Sequence, residues 1–115
     1  MNELEELQLS LANFAKERDW DKFHSPKNLS MALAGESGEL LEHFQWLTEE
    51  QSWLLTKEQK EEVSNEVADI FMYLLRFSDK TGIDLIEACE KKLLINREKY
   101  PVSKSFGVAT KYTKL

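Results

Sequence analysis

The sequence predicts an all-α chain built on four long helices, and three observations carry that reading. Glycine and proline are scarce, four and two in 115 residues, which leaves few places to turn a many-stranded fold. Apolar residues recur at intervals of three and four over long stretches. Capping residues stand where such stretches should begin or end.

The first helix is expected over residues 3–18, where Leu4, Leu7, Leu11 and Phe14 keep helical spacing. Residues 19–25 (DWDKFHS) read as an aromatic-rich connector. Ser25-Pro26 then supplies a capping hydroxyl followed by proline at the first helical position, and a second helix runs from there to about Leu47. Thr48 opens a connector holding Trp53, with a helical turn over 49–54. Thr56, with Glu58 just inside, starts a third helix that runs to about Lys80 and ends at Thr81-Gly82. Asp84 caps a fourth helix over 85–99, which Pro101 stops. Residues 1–102 are read as one domain. Residues 103–115 lack a strong period and read as a C-terminal tail.

Length and charge narrow the function. A chain of 115 residues suits one domain of modest core, which a partner subunit would help to bury. No apolar run approaches the roughly 18 residues of a membrane span, and MNELEELQLS is too acidic for a signal or transit peptide. The single Cys89 cannot form an internal disulfide, which makes a reducing cytoplasm the expected setting; Cys89 itself reads as a small core residue. A net charge of −6 argues against nucleic acid as a partner, because phosphate neutralisation needs clustered Lys and Arg. The charge is uneven. Residues 36–69 hold ten acids against two bases, which marks either a solvated face or a cation site.

Helical phase favours the cation site over the solvated face. On the third helix, Val63, Val67, Ile70, Leu74 and Phe77 share one arc, and Glu62, Glu66, Asp69 and Tyr73 lie beside it. On the second, Leu29, Leu33, Leu40, Phe44 and Leu47 share an arc, flanked by Asn28, Ala32, Glu36, Glu39 and His43. Glu36/Glu39 and Glu66/Asp69 are therefore like-charged pairs at i, i+3, each repelling by a few tenths of a kcal/mol. A solvated face would place Lys or Arg one turn on, yet positions 40, 43, 70 and 73 are Leu, His, Ile and Tyr. Packed antiparallel by their apolar arcs, the two helices would converge four carboxylates that need a cation. Hard oxygen donors select Mg²⁺, with Mn²⁺ as the alternative, over Zn²⁺. Magnesium held by few carboxylates commonly shares its shell with substrate phosphates, which points to a nucleotide polyphosphate. A di-iron bundle would use Glu-x-x-His, which neither pair offers.

At these residues the sequence resembles a known family. Glu36-Ser-Gly-Glu39, a spacer of 26 residues and Glu66-Val-Ala-Asp69 look like the ExxE…ExxD signature of the all-α nucleoside triphosphate pyrophosphatases, the MazG-like group. FAKERDW (14–20), FHSPKNL (23–29), GESGELLEHFQW (35–46) and NREKYP (96–101) look closer still to its dCTP pyrophosphatase branch. The resemblance implies a four-helix MazG-like bundle assembled as a dimer or a tetramer made of two dimers. It implies Mg²⁺ bound by Glu36, Glu39, Glu66 and Asp69, and hydrolysis of a triphosphate to the monophosphate and pyrophosphate. It also implies a base and sugar pocket using Trp20, His24 and Trp46, with Tyr73, Lys92 and Asn96 near the sugar or phosphates. In animal members a His stands where this chain has Leu11, so one polar pocket contact is replaced by an apolar side chain.

Other residues can be weighed on position alone. Asn28, two turns before Glu36, faces the same way and is a candidate for a base edge or sugar. Trp46 falls toward the acidic side of the second helix. His43 lies on the acidic stripe, where it could orient a carboxylate. Phe71, Leu75 and Ser78 spread the third helix's apolar surface beyond one arc, which suggests cover by a second copy. The expectation is therefore a Mg²⁺-dependent nucleotide pyrophosphatase, with Glu36 or Glu39 activating water. The alternative is a non-catalytic helical module whose acidic stripes bind a basic partner.

Overall fold

A computed structural model describes all 115 residues, and they form helices and turns with no strand. The long helices are α1 (Glu3–Glu17), α2 (Pro26–Glu42), α4 (Lys57–Thr81) and α5 (Leu85–Lys99); α3 (Glu49–Ser52) and α6 (Val102–Ser105) are single turns. Short 3₁₀ turns occupy Asp21–Phe23 and Tyr112–Lys114. The chain divides into two units, Met1–Gly82 and Ile83–Leu115. No helix is long and apolar enough to cross a membrane.

The helix starts follow local chemistry. Asn2, Ser25, Thr48, Thr56 and Asp84 each accept a hydrogen bond from a first-turn amide. Asn2, Thr48 and Thr56 complete reciprocal capping boxes with Glu5, Gln51 and Gln59, each satisfying two otherwise orphaned N–H groups. Gly82 closes α4 at φ 71°, the left-handed position that costs glycine least. In the tail, Val102–Ser105 forms the short helix α6 instead of irregular chain.

The end of α2 departs from expectation. The helix stops at Glu42, five residues before Leu47. His43 and Phe44 donate to the carbonyls of Leu40 and Leu41, so the last turn tightens to i→i+3 bonding. Thr48 must adopt extended backbone to cap α3, with ψ 165°, and the chain leaves the helix ahead of it. Trp46 consequently has no helical phase.

In the first unit, α4 packs against both α2 and α1. Leu29, Leu33, Leu40, Phe44 and Leu47 are all at least partly covered, with Leu29 fully buried. On α4 the deepest positions are Leu75 and Ser78, not the centre of the expected arc, and Val67 is 50% exposed. The reason lies on α1. Gln8 Nε2 donates to Ser78 Oγ at 2.9 Å, and Ser78 Oγ donates to the Leu75 carbonyl at 2.8 Å. This chain's own α1 therefore covers Leu75 and Ser78, without a second copy. Gln8→Ala should cost about 1 kcal/mol of stability, the net worth of one part-buried hydrogen bond. Urea denaturation measures it, and an unchanged midpoint would show that Gln8 does not hold α1 to α4.

The second unit holds α5, α6 and the final turn. None of its apolar side chains is fully buried. Tyr100 meets Tyr112 edge-on at 5.9 Å, and the Lys99 ammonium sits 4.5 Å from the Tyr112 ring centre. Cys89 lies on this unit's helix and is exposed, so it is not a core residue.

Candidate active site

Two helices supply the acidic cluster. The packing of α2 on α4 brings carboxylate oxygens of Glu36, Glu39 and Glu66 within 4.8 Å of one another. Asp69 is close enough for its charge to act on Glu36. Glu36 Oε2 and Glu66 Oε2 are buried and have no hydrogen-bond partner. Buried acceptors left unpaired are costly, and hard anionic oxygens so placed suit a hard divalent cation. The donor set thus fits Mg²⁺ or Mn²⁺. His43 stands against the cluster, with Nε2 3.7 Å from Glu66 Oε1 and Nδ1 3.9 Å from Glu62 Oε2.

Crowding changes the proton affinity of the cluster. Glu36 is pushed from 4.5 to about 7, first by the carboxylate of Glu39 close beside it, then by burial, by the charges of Glu39 and Asp69, and by the neighbouring Glu66 carboxyl. The folded chain therefore holds a proton that the unfolded chain releases. The associated stability is full below pH 4.5 and lost as pH rises to about 7. His24 has a lowered pKa and contributes a slope of opposite sign below its ordinary 6.5, so the useful quantity is the difference between wild type and Glu36→Gln. In metal-free buffer that difference in melting temperature should move against the wild type across this window, and saturating Mg²⁺ should remove most of it. A difference that stays flat with pH would contradict the crowded cluster.

Beside the cluster lies a cavity of about 440 Å³, and Asp69 lines it. Aromatic and apolar walls come from Leu11, Phe14, Trp20 and Met72, and polar edges from His24, Tyr73 and Arg76. The backbone explains how Trp20 reaches it. Asp19 ends α1 in the left-handed region at φ 55°. Asp19 N–H donates to the Lys16 carbonyl and Trp20 N–H to the Ala15 carbonyl, the paired bonds of a Schellman motif. The indole then packs edge-on against Phe14 at 5.7 Å, the apolar contact that such an ending favours.

The remaining sequence-predicted residues fall into three groups. Trp20, His24, Tyr73 and Asp69 meet at the cavity. Asn28 and Trp46 belong to the same unit but do not line it. Asn28 Nδ2 donates to the Phe23 carbonyl at 3.0 Å, tying the connector to α2, and Trp46 is 86% exposed. Lys92 and Asn96 lie one turn apart on α5 in the second unit, Lys92 exposed and Asn96 half-buried. Gly35 and Gly38 have open space where a side chain would stand, so no part of this chain approaches them closely. Sequence reasoning missed Arg76 and Gln8. An arginine inside FMYLLRFS (71–78) was the available signal for the first.

An all-helical chain that brings carboxylates from two helices together beside an aromatic cavity has the donor set for a hard divalent cation next to room for an aromatic ligand. The chain belongs to the MazG-like family, whose model matches residues 33–115. It is 42% identical to dCTP pyrophosphatase 1 of Bos taurus and 39% identical to that of Homo sapiens. Each match covers 97% of this chain, and 68% and 67% of those proteins respectively. Among solved structures, a pyrophosphatase from Archaeoglobus fulgidus superposes with a TM-score of 0.83 at 39% identity, over 88% of this chain and 94% of that one.

Proposed function

We propose that this chain hydrolyses dCTP, or a closely related deoxynucleoside triphosphate, to the monophosphate and pyrophosphate with the help of Mg²⁺ or Mn²⁺. The observation that carries the reading is the sharing of Asp69 between the carboxylate cluster and the aromatic cavity. One ligand can then place its phosphates at the acids and its base among the aromatics. The dCTP pyrophosphatase relatives support the same substrate class over nearly the whole chain, whereas a basic partner for the acidic stripes has no comparable support.

Glu36, Glu39, Glu66 and Asp69 would hold the metal. Bound there, it supplies charge neutralisation on the phosphates and the leaving pyrophosphate. Without a cation these acids would repel a triphosphate, so a metal held by them would supply the charge that lets its phosphates approach. Glu36 or Glu39 orients the attacking water and takes its proton as the new P–O bond forms; the phosphoanhydride bond to pyrophosphate breaks. Trp20, with His24 and Tyr73, contacts the base and sugar. Trp46, Asn28, Lys92 and Asn96, none of which lines this cavity, are the further substrate contacts that the reading expects. Residues 1–102 form the catalytic domain and 103–115 a tail. The setting is the cytoplasm, and the role is removal of unwanted free nucleotides, without nucleic acid or membrane as partner.

The protein works as a homodimer or a tetramer made of two dimers. Only Ala15, Leu29 and Leu75 are buried among the apolar side chains, while Phe71, Trp46, Trp53 and Leu54 are exposed. That much apolar surface is unusual on a monomer. Light scattering should give at least twice the 13.4 kDa chain mass; a fully active monomer would contradict the assembly. The substrate claim is tested by a pyrophosphate-release screen over the common ribo- and deoxynucleoside triphosphates with Mg²⁺. Preferential release from dCTP is expected, and release from none would overturn the reading.

A further inference from the structure

Arg76 points to a refinement of the nucleotide reading above, on which it rests. This arginine is 5% exposed yet lines the cavity. Its guanidinium is committed to side chains. Nε donates to His24 Nδ1 at 3.2 Å, Nη2 to Asp21 Oδ1 at 2.9 Å, and Nη1 reaches Asp79 Oδ2 at 3.5 Å. Lys80 also pairs with Asp21, so that carboxylate is shared between two cations.

Chemistry fixes the direction of the first bond. An arginine side chain stays protonated and its Nε–H can only donate. His24 Nδ1 must then accept with its lone pair, and a neutral ring carries its one hydrogen on Nε2. No hydrogen bond within the protein uses Nε2, and the ring borders the cavity. We propose that Arg76 is a specificity-determining positioning residue: it locks His24 in the Nε2–H form, so that the imidazole donates to an acceptor atom on the nucleoside part of the substrate. Burial and the Arg76 charge both hold the His24 pKa below its ordinary value against the opposing pull of Asp21, which keeps the ring neutral. In this state His24 cannot act as a general base, because Nδ1 is occupied and Nε2 is already protonated. Its part is recognition, while proton removal from water stays with the carboxylates.

The chain has only two histidines, which makes the tautomer directly readable. Long-range ¹H–¹⁵N NMR on the labelled full chain, assigned with His24→Gln, should show His24 protonated at Nε2 and bare at Nδ1 near neutral pH. The opposite tautomer, or an imidazolium, overturns the proposal. Arg76→Lys should mix the tautomers and raise KM for dCTP in inverse proportion to the Nε2–H fraction that remains, about twofold at an equal mixture, with a smaller change in kcat. The glutamine of His24→Gln offers an amide N–H without a tautomer to set, so adding Arg76→Lys to it should move KM little. An equal rise in KM in both backgrounds makes Arg76 merely structural and overturns the proposal. Should Arg76→Lys fail to fold, His24→Gln and His24→Ala decide: retained KM in the first and a roughly tenfold rise in the second support the donor role, and equal losses overturn it. A wild-type chain inert toward every nucleotide sinks the functional reading instead, whatever the tautomer.

Discussion

Glu36→Gln, Glu39→Gln, Glu66→Gln and Asp69→Asn should each reduce turnover by roughly a hundredfold or more, through loss of the general base at Glu36 or Glu39 or of a carboxylate that would hold the metal, while leaving the helices folded. The expectation follows from position. Glu36, Glu39 and Glu66 gather their oxygens within 4.8 Å, two of those carboxylates bury an unpaired oxygen, and Asp69 connects them to the cavity. An arrangement that crowds acids without a compensating base raises the energy of the metal-free fold. Each amide substitution should therefore raise the melting temperature in metal-free buffer even as it removes activity. Steady-state turnover at saturating Mg²⁺ with parallel melting curves provides the check. If any two of the four variants keep near-wild-type turnover, the four-carboxylate site is wrong.

Trp20→Ala should raise KM for the nucleotide tenfold or so and lower kcat less. Stacking on an aromatic is worth about 1–3 kcal/mol per base and acts on ground and transition states alike. The Schellman ending of α1 and the Phe14 contact hold the indole at the cavity wall. Trp46→Ala is a sharper probe of assembly. That side chain is 86% exposed and outside the cavity of its own chain. A comparable rise in KM for Trp46→Ala would place it in a pocket completed by another protomer. An unchanged KM in a well-folded Trp20→Ala variant would remove the indole from the binding site.

Much of this was legible in the sequence where the cause is local. Ser25-Pro26, Thr56, Gly82, Asp84 and Pro101 mark helix boundaries because capping needs only the residue and its next turn. The carboxylate pairs were legible because helical phase alone puts Glu36 beside Glu39 and Glu66 beside Asp69. What the sequence hid depends on distant neighbours. The end of α2 is drawn back by the cap of the following helix, which removed the phase assigned to Trp46. Leu75 and Ser78 looked like surface for a second copy because nothing in α4 reveals that Gln8 reaches them. Arg76 drew no reading from the sequence, because what gives it a role is His24, 52 residues away. Cys89, read as core from its chemistry alone, is exposed on a helix that buries no residue fully.

The central claim is metal-assisted cleavage of a deoxynucleoside triphosphate to monophosphate and pyrophosphate at the α2–α4 carboxylates. ³¹P NMR of dCTP turning over with the wild-type chain and Mg²⁺ tests it most directly. The account predicts pyrophosphate and dCMP as the only phosphorus products, with turnover abolished by chelator and by Glu36→Gln. Orthophosphate with dCDP, or turnover that persists in excess chelator, would contradict it.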